Sequence, residues 1–197
     1  MNCRVLSRKP NLASLVAAAL AVSVVACGDL TGVPASLPTI SDSSTAYALN
    51  GAPPNAPTSL HVYTGQLFAA DANFLFDVAF DLDASGNPVI LPQRVVASGL
   101  AATHSVGLQT STSTFESITR APASGYRADS ALVVKLNQPV LIQSNDPNAC
   151  GVSLTGTNIY AKLVVRAIDA TARKLTVVYT VDPNCGFRSF LPGVPKD

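Results

Sequence analysis

The sequence predicts an all-β domain, either an antiparallel β-sandwich or a small barrel. Beyond Pro57, apolar residues recur at every second position, which is the period of a half-buried strand, and no window keeps the stripe of an amphipathic helix. Gly, Pro, Asn and Asp interrupt this pattern about every 8 to 12 residues, which is typical of sandwiches and barrels built from short strands. Of the 197 residues, 48% are hydrophobic and 13% are charged, and this balance excludes a disordered polyelectrolyte and a coiled coil.

Residues 1–26 are predicted to be a helical export signal. Three basic residues and no acidic one precede the apolar run 12–25, whose 14 residues are fewer than the roughly 20 that a membrane-spanning helix needs. The run is therefore interpreted as the core of a signal peptide.

The end of this run resembles the lipobox of bacterial lipoproteins. An aliphatic residue, Val24, stands three positions before Cys27, and the small Ala26 directly precedes the cysteine. The resemblance covers residues 1–28 and implies lipidation of Cys27, cleavage before it, and a membrane anchor in the cell envelope with the domain outside the cytoplasm. Gly28 is not the aspartate that retains some lipoproteins in the inner membrane, so the outer membrane is the favoured location.

Residues 27–57 are predicted to be the lipidated N-terminus and a disordered tether. The segment is rich in Pro, Gly, Ser, Thr and Ala, and it shows no sustained hydrophobic period. A flexible chain of this length has a root-mean-square span of roughly 30 Å. The single β domain, 58–197, is therefore expected to stand clear of the lipid headgroups.

Two hairpins are the clearest elements of the β domain. In 73–83, apolar side chains alternate with a second set that includes three aspartates, and 89–96 is expected to return as the partner strand. The second hairpin is predicted from 159–167 and 175–181. Shorter strands are expected at 60–63, 105–109, 114–119, 131–136 and 140–143.

The beginning of the domain resembles a known β-sandwich family. Residues 56–62 (APTSLHV) are similar to the first strand of fibronectin type III domains. The resemblance implies an immunoglobulin- or fibronectin-like sandwich, but the chain lacks the tryptophan that is buried in that family's core. A jelly-roll-like sandwich therefore stays open as the alternative.

The cysteines predict one disulfide. Cys3 leaves with the signal and Cys27 is expected to carry lipid, so the mature chain keeps the pair Cys150 and Cys185. Export to an oxidising compartment favours a bond between them. A redox pair would need a C-x-x-C spacing, and a metal site would need nearby histidines; the sequence has neither.

Residues suited to acid–base catalysis are scarce. His61 and His104 are the only histidines, Glu116 is the only glutamate, and no G-x-S-x-G elbow occurs. A hydrolase acting on carbohydrate or ester would have to bring one of these three side chains into a concave pocket with a carboxylate or hydroxyl. We keep such an enzyme as the alternative to a non-catalytic domain.

Two further groups are candidate binding residues. Strand alternation places Asp77, Asp81 and Asp83 on one face, where carboxylate oxygens could attract Ca²⁺, the only cofactor considered. The run DLDASGN begins like an EF-hand loop, but proline occupies position 12, where the bidentate glutamate belongs. The second group, Arg120, Tyr126 and Arg127, lies in one predicted loop and includes residue types that are enriched in binding hot spots.

Charge and composition limit the partners. Without the signal, ten basic residues face twelve acidic ones, a net charge of −2 that predicts no binding to nucleic acid. The sequence thus indicates a membrane-anchored envelope lipoprotein with a binding or structural β domain, whose envelope protein or glycan partner it does not identify. A glycan-binding module would need an exposed platform of Tyr or Phe, because the chain has no tryptophan.

Overall fold

A computed structural model of the chain describes residues 34–70, 76–97, 104–151, 153 and 155–196. The predicted signal peptide, Cys27 and the first part of the predicted tether lie outside these ranges. No helix within them is long and apolar enough to cross a membrane. The strands are β1 (Ile40–Tyr47), β2 (Ser59–His61), β3 (Gln66–Phe68), β4 (Val78–Leu82), β5 (Pro88–Pro92), β6 (Ser105–Thr110), β7 (Arg127–Ala128), β8 (Leu132–Val133), β9 (Val140–Asn145), β10 (Ile159–Asp169) and β11 (Lys174–Asp182), and the one-turn helices are α1 (Gln93–Val96) and α2 (Pro147–Cys150).

Two antiparallel sheets form a sandwich. One sheet has the strand order β1-β11-β10-β9-β6-β7 and the other β3-β2-β4-β5-β8, and in the described ranges neither sheet closes on itself. A single apolar cluster lies between them and draws buried side chains from both, including Leu60 and Phe80 from one sheet and Leu163 and Val177 from the other. The predicted all-β sandwich is confirmed, and the barrel is not formed.

The two predicted hairpins are present. β4 pairs with β5, and β10 pairs with β11 over nearly their whole length. The first turn needs a glycine because Gly86 has a φ of +80°, which side chains disfavour. The returning strand predicted over 89–96 is too long, because β5 ends at Pro92 and Gln93 begins α1, where its N–H donates to the carbonyl of Asp77.

The strand predicted at 114–119 is a turn. Phe115 and Ile118 are both buried, a spacing of three that does not fit the period of a strand. Lys162, only 5% exposed, donates from Nζ to the carbonyls of Phe115 and Ile118 at 2.8 Å each. Burial lowers the pKa of Lys162, and the charge of Glu116 raises it in part. The turn is thus held against the sheet by a buried lysine.

The predicted tether contains a strand. β1 lies within 27–57, and all eight of its residues pair with β11, from Ile40 opposite Val181 to Tyr47 opposite Lys174. The interpretation of this segment as disordered is wrong from β1 onward. The sequence of β1 shows no clear alternation of apolar and polar residues, because Ala46 is the only fully buried residue of this edge strand. A central strand buries several large side chains.

Candidate functional site

Each histidine faces an aspartate from the opposite sheet. His61 lies on β2, and its Nε2 is 3.5 Å from Oδ2 of Asp146, the residue that follows β9. His104 directly precedes β6, and its Nε2 is 3.2 Å from Oδ1 of Asp77, the residue that directly precedes β4. The pairing of Ser105 with Asn145 puts His104 beside Asp146, so both pairs lie at the same end of the sandwich. Each pair therefore links the two sheets.

The pair of Asp77 and His104 is built into the interior. Asp77 is fully buried and His104 is 2% exposed. Asp77 Oδ2 accepts a hydrogen bond from the backbone N–H of Val62, whereas the contact of Oδ1 with the imidazole lacks hydrogen-bond alignment and is electrostatic when the imidazole is protonated. These contacts give Asp77 a structural role.

The predicted calcium site is not formed. The three carboxylates have separate partners: Asp77 lies in the interior, Asp81 Oδ1 accepts from Arg173 Nη2 at 2.9 Å, and Asp83 accepts from the N–H groups of its own turn. Six residue steps along the extended chain separate Asp77 from Asp83, a distance of about 20 Å, which is too far for one ion to bind both. In the described ranges no three His, Cys, Asp or Glu side chains come together as metal ligands.

Glu116 lies on the surface in an ion pair with Arg166. Its own backbone N–H and the guanidinium of Arg166 hold the pKa of Glu116 below its usual value. The carboxylate is 68% exposed on the turn that Lys162 secures. This arrangement serves to fix the turn.

The outer face of the six-stranded sheet is covered by two chain segments. The loop around Arg120 and the C-terminal segment form an antiparallel bridge at Ser189, where the N–H of Phe190 donates to the carbonyl of Thr119. A second apolar cluster lies beneath them. Its members are Ile118, Ala121, Leu141, Tyr160 and Phe190, with Tyr126 packed against it.

An open cavity of about 520 Å³ lies along these segments, and we call it the tail groove. Its lining combines two cations with aliphatic side chains and contains no histidine and no described carboxylate. It is lined by Thr119, Arg120, Ser189, Leu191, Pro192, Val194, Pro195 and Lys196.

The three residues of the predicted binding loop are separated. Arg120 lines the tail groove, whereas Arg127 is exposed on the edge strand β7. Tyr126 is half-buried: its ring centroid lies 6.2 Å from that of Tyr160, and its hydroxyl donates to the carbonyl of Pro122. Burial raises the pKa of Tyr126 well above its usual value. Of the three, only Arg120 contributes to a described cavity.

The predicted disulfide between Cys150 and Cys185 is present. Each cysteine follows an Asp-Pro-Asn turn, in which Asp146 Oδ1 accepts from the N–H of Asn148 and Asp182 Oδ1 accepts from the N–H of Asn184. The repeated Asp-Pro-Asn sequence therefore forms the same kind of turn twice, and the disulfide joins the two turns.

Asn184 also fastens the beginning of the domain. Its Oδ1 accepts from the N–H groups of Ser36 and Leu37 at 3.0 Å, and its Nδ2 donates to the carbonyl of Leu37. A cavity of about 190 Å³ beside it is lined in part by 34–37 and Cys185. The sequence showed no sign of this contact, because 147 residues separate Leu37 from Asn184.

We expect replacement of Asp182 by asparagine to favour the folded state more at pH 7 than at pH 4. Burial raises the pKa of this fully buried carboxyl above its usual 3.8. At a pH between the pKa of the unfolded state and the higher pKa of the folded state, the folded protein therefore binds more protons than the unfolded protein. The wild type therefore loses stability as the pH rises through this window, and Asp182→Asn does not. Urea denaturation of both proteins at the two pH values measures the difference, and a difference independent of pH would contradict the prediction.

Sequence reasoning missed the tail groove. Its apolar residues, Leu191 and Val194, lie in a short segment with two prolines and no alternation, which predicts only an irregular tail. Lys196 had no recognisable motif around it. The combination of Leu191, Val194 and Lys196 in one short segment was the signal that could have indicated a binding surface.

Comparison of the chain with protein-family models, with curated proteins and with solved structures found no match. The function has to be argued from the residues themselves.

Proposed function

We propose that this chain is a bacterial envelope lipoprotein whose β-sandwich has a non-catalytic binding or structural role. The sequence around Cys27 supports the anchor, and the disulfide fits an oxidising compartment. The observation that carries the non-catalytic role is the placement of the acid–base candidates. His61, His104 and Glu116 are each paired with a charged partner, and none of them lines the tail groove or the cavity beside the disulfide.

The alternatives have less support. A surface hydrolase needs a nucleophile and a base in one cleft, and the hydroxyls of Thr119 and Ser189 in the tail groove have no described base beside them. A glycan platform needs exposed aromatic rings, but in the described ranges the large exposed apolar side chains are all aliphatic.

The membrane-extracted protein is expected to begin at Cys27 and to carry acyl chains. Several chains on one residue hold a protein firmly, whereas one chain gives only marginal binding. Intact mass spectrometry after detergent extraction measures both the N-terminus and the added lipid. The matched control, Cys27→Ser, should lack the lipid, and a wild-type protein that begins at Met1 without lipid would overturn the proposal.

A further inference from the structure

The turn that follows β1 contains the single Asn-Gly pair of the sequence, Asn50 and Gly51. Both residues are exposed, and Gly51 has a φ of +80°, a conformation that side chains disfavour. The turn therefore requires glycine at position 51. Glycine is also the residue that makes a preceding asparagine chemically labile, because it has no side chain to hinder the attack of its own nitrogen on the asparagine amide.

The backbone of Asn50 is held in place, whereas the groups that would react are not. Its N–H donates to Oδ1 of Asp81 at 3.4 Å, and its carbonyl accepts from Nε of Arg173 at 2.7 Å. Within the described ranges, neither the side-chain amide of Asn50 nor the N–H of Gly51 has a hydrogen-bond partner. The amide and the nitrogen that must meet are therefore not engaged elsewhere.

Arg173 acts on the peptide group that joins the two residues. The carbonyl of Asn50 and the N–H of Gly51 share one resonance-stabilised peptide bond. The guanidinium donates a charge-assisted hydrogen bond to that carbonyl oxygen and draws electrons away from the nitrogen. The N–H of Gly51 thereby becomes more acidic, and loss of its proton gives the nucleophile.

We propose that Asn50 is a site of spontaneous deamidation in the folded protein. The nitrogen of Gly51 gives its proton to hydroxide and attacks Cγ of Asn50. The bond from Cγ to the side-chain nitrogen breaks, and this nitrogen takes a proton from water and leaves as ammonia. Water then opens the cyclic imide at either of its two carbonyls, which gives aspartate or isoaspartate. No electrons are transferred, and water is the only co-reactant.

The reaction adds a negative charge at a contact between the two sheets. Asp81 lies on β4, Arg173 lies in the turn between β10 and β11, and Asn50 is hydrogen-bonded to both. Arg173 also donates from Nη2 to Oδ1 of Asp81. Deamidation thus gives the domain a second charge form without an enzyme. The inference goes beyond the proposed function and does not depend on the Cys27 anchor.

Asn55 is a control within the same loop. It is exposed like Asn50 and has a φ of +64°. The next residue is Ala56, whose side chain hinders attack and whose N–H already donates to the carbonyl of Pro53. We expect Asn55 to stay intact while Asn50 reacts.

The test incubates the purified full-length protein at pH 8, folded in buffer and unfolded in urea, and follows each asparagine by peptide mass spectrometry. We expect Asn50 in the folded protein to react at least as fast as in urea. Arg173→Met, which keeps a long side chain but has no donor, should react severalfold more slowly, with circular dichroism as the check of folding. Asn50→Gln should remove the signal, because its longer side chain cyclises poorly.

A rate at Asn50 that is clearly lower in the folded protein than in urea would show that the fold protects the pair, and the inference would be wrong. Conversion of Asn55 at the same rate, or an unchanged rate in folded Arg173→Met, would also overturn it. None of these results bears on the lipidation of Cys27, which is measured separately at the N-terminus.

Discussion

The Cys150→Ser variant is expected to be less stable than the disulfide-bonded wild type by about 4 kcal/mol. The disulfide closes a loop of 34 intervening residues, and in the chain-entropy model this closure removes conformations from the unfolded chain. Domains of this size have a total stability of about 5 to 15 kcal/mol, so the loss is a large share. Urea denaturation of protein purified under oxidising conditions measures it.

The double variant Cys150→Ser/Cys185→Ser is the control for the unpaired thiol. It should match the single variant, and reduction of the wild type with dithiothreitol should bring its stability close to both. Free thiols at both positions in exported wild-type protein, or an unchanged urea midpoint, would contradict the prediction.

Replacement of Asp77 by alanine is expected to cost about 1 to 3 kcal/mol, the usual penalty for leaving a buried hydrogen-bonding group without its partner. The change leaves the backbone N–H of Val62 buried without its acceptor and removes the carboxylate that lies beside the imidazole of His104. It also breaks a link between the two sheets. Urea denaturation measures the loss, and circular dichroism checks that the variant still folds.

Asp83→Ala is the matched control for this experiment. Asp83 belongs to the same run of aspartates, but its carboxylate is exposed and accepts hydrogen bonds within a surface turn. Its replacement should cost clearly less. If both variants lose the same stability, the sheet-linking role of Asp77 is wrong.

Local patterns in the sequence were sufficient for the fold class. The alternation before and after the turn at Gly86 and the pattern of 159–181 predicted both hairpins, because the period of a strand is a property of neighbouring residues. The edge strands β1, β3 and β7 were missed. Each of them pairs with a single strand, which for β1 is the distant β11, and small polar residues are sufficient for an edge position.

The candidate site was less accessible to such reasoning. The loop residues Arg120 and Tyr126 are close in sequence, yet the packing of Tyr126 on Tyr160 and the bridge of Arg120 with Ser189 send them to different surroundings. Neither contact can be read from local patterns, since the partners lie more than thirty residues away.

The amino-acid order by itself determined that this protein is an all-β domain with one disulfide, because side-chain period and cysteine number are local or compositional properties. The packed structure decided between a sandwich and a barrel. The packed structure decided where the aspartates lie: Asp77 inside against His104, Asp81 on Arg173, and Asp83 in a turn. Identical side chains at alternate positions have the same local pattern. They differ only in the partners that folding brings to them, and those partners distinguish the buried Asp77 from Asp83 in its surface turn.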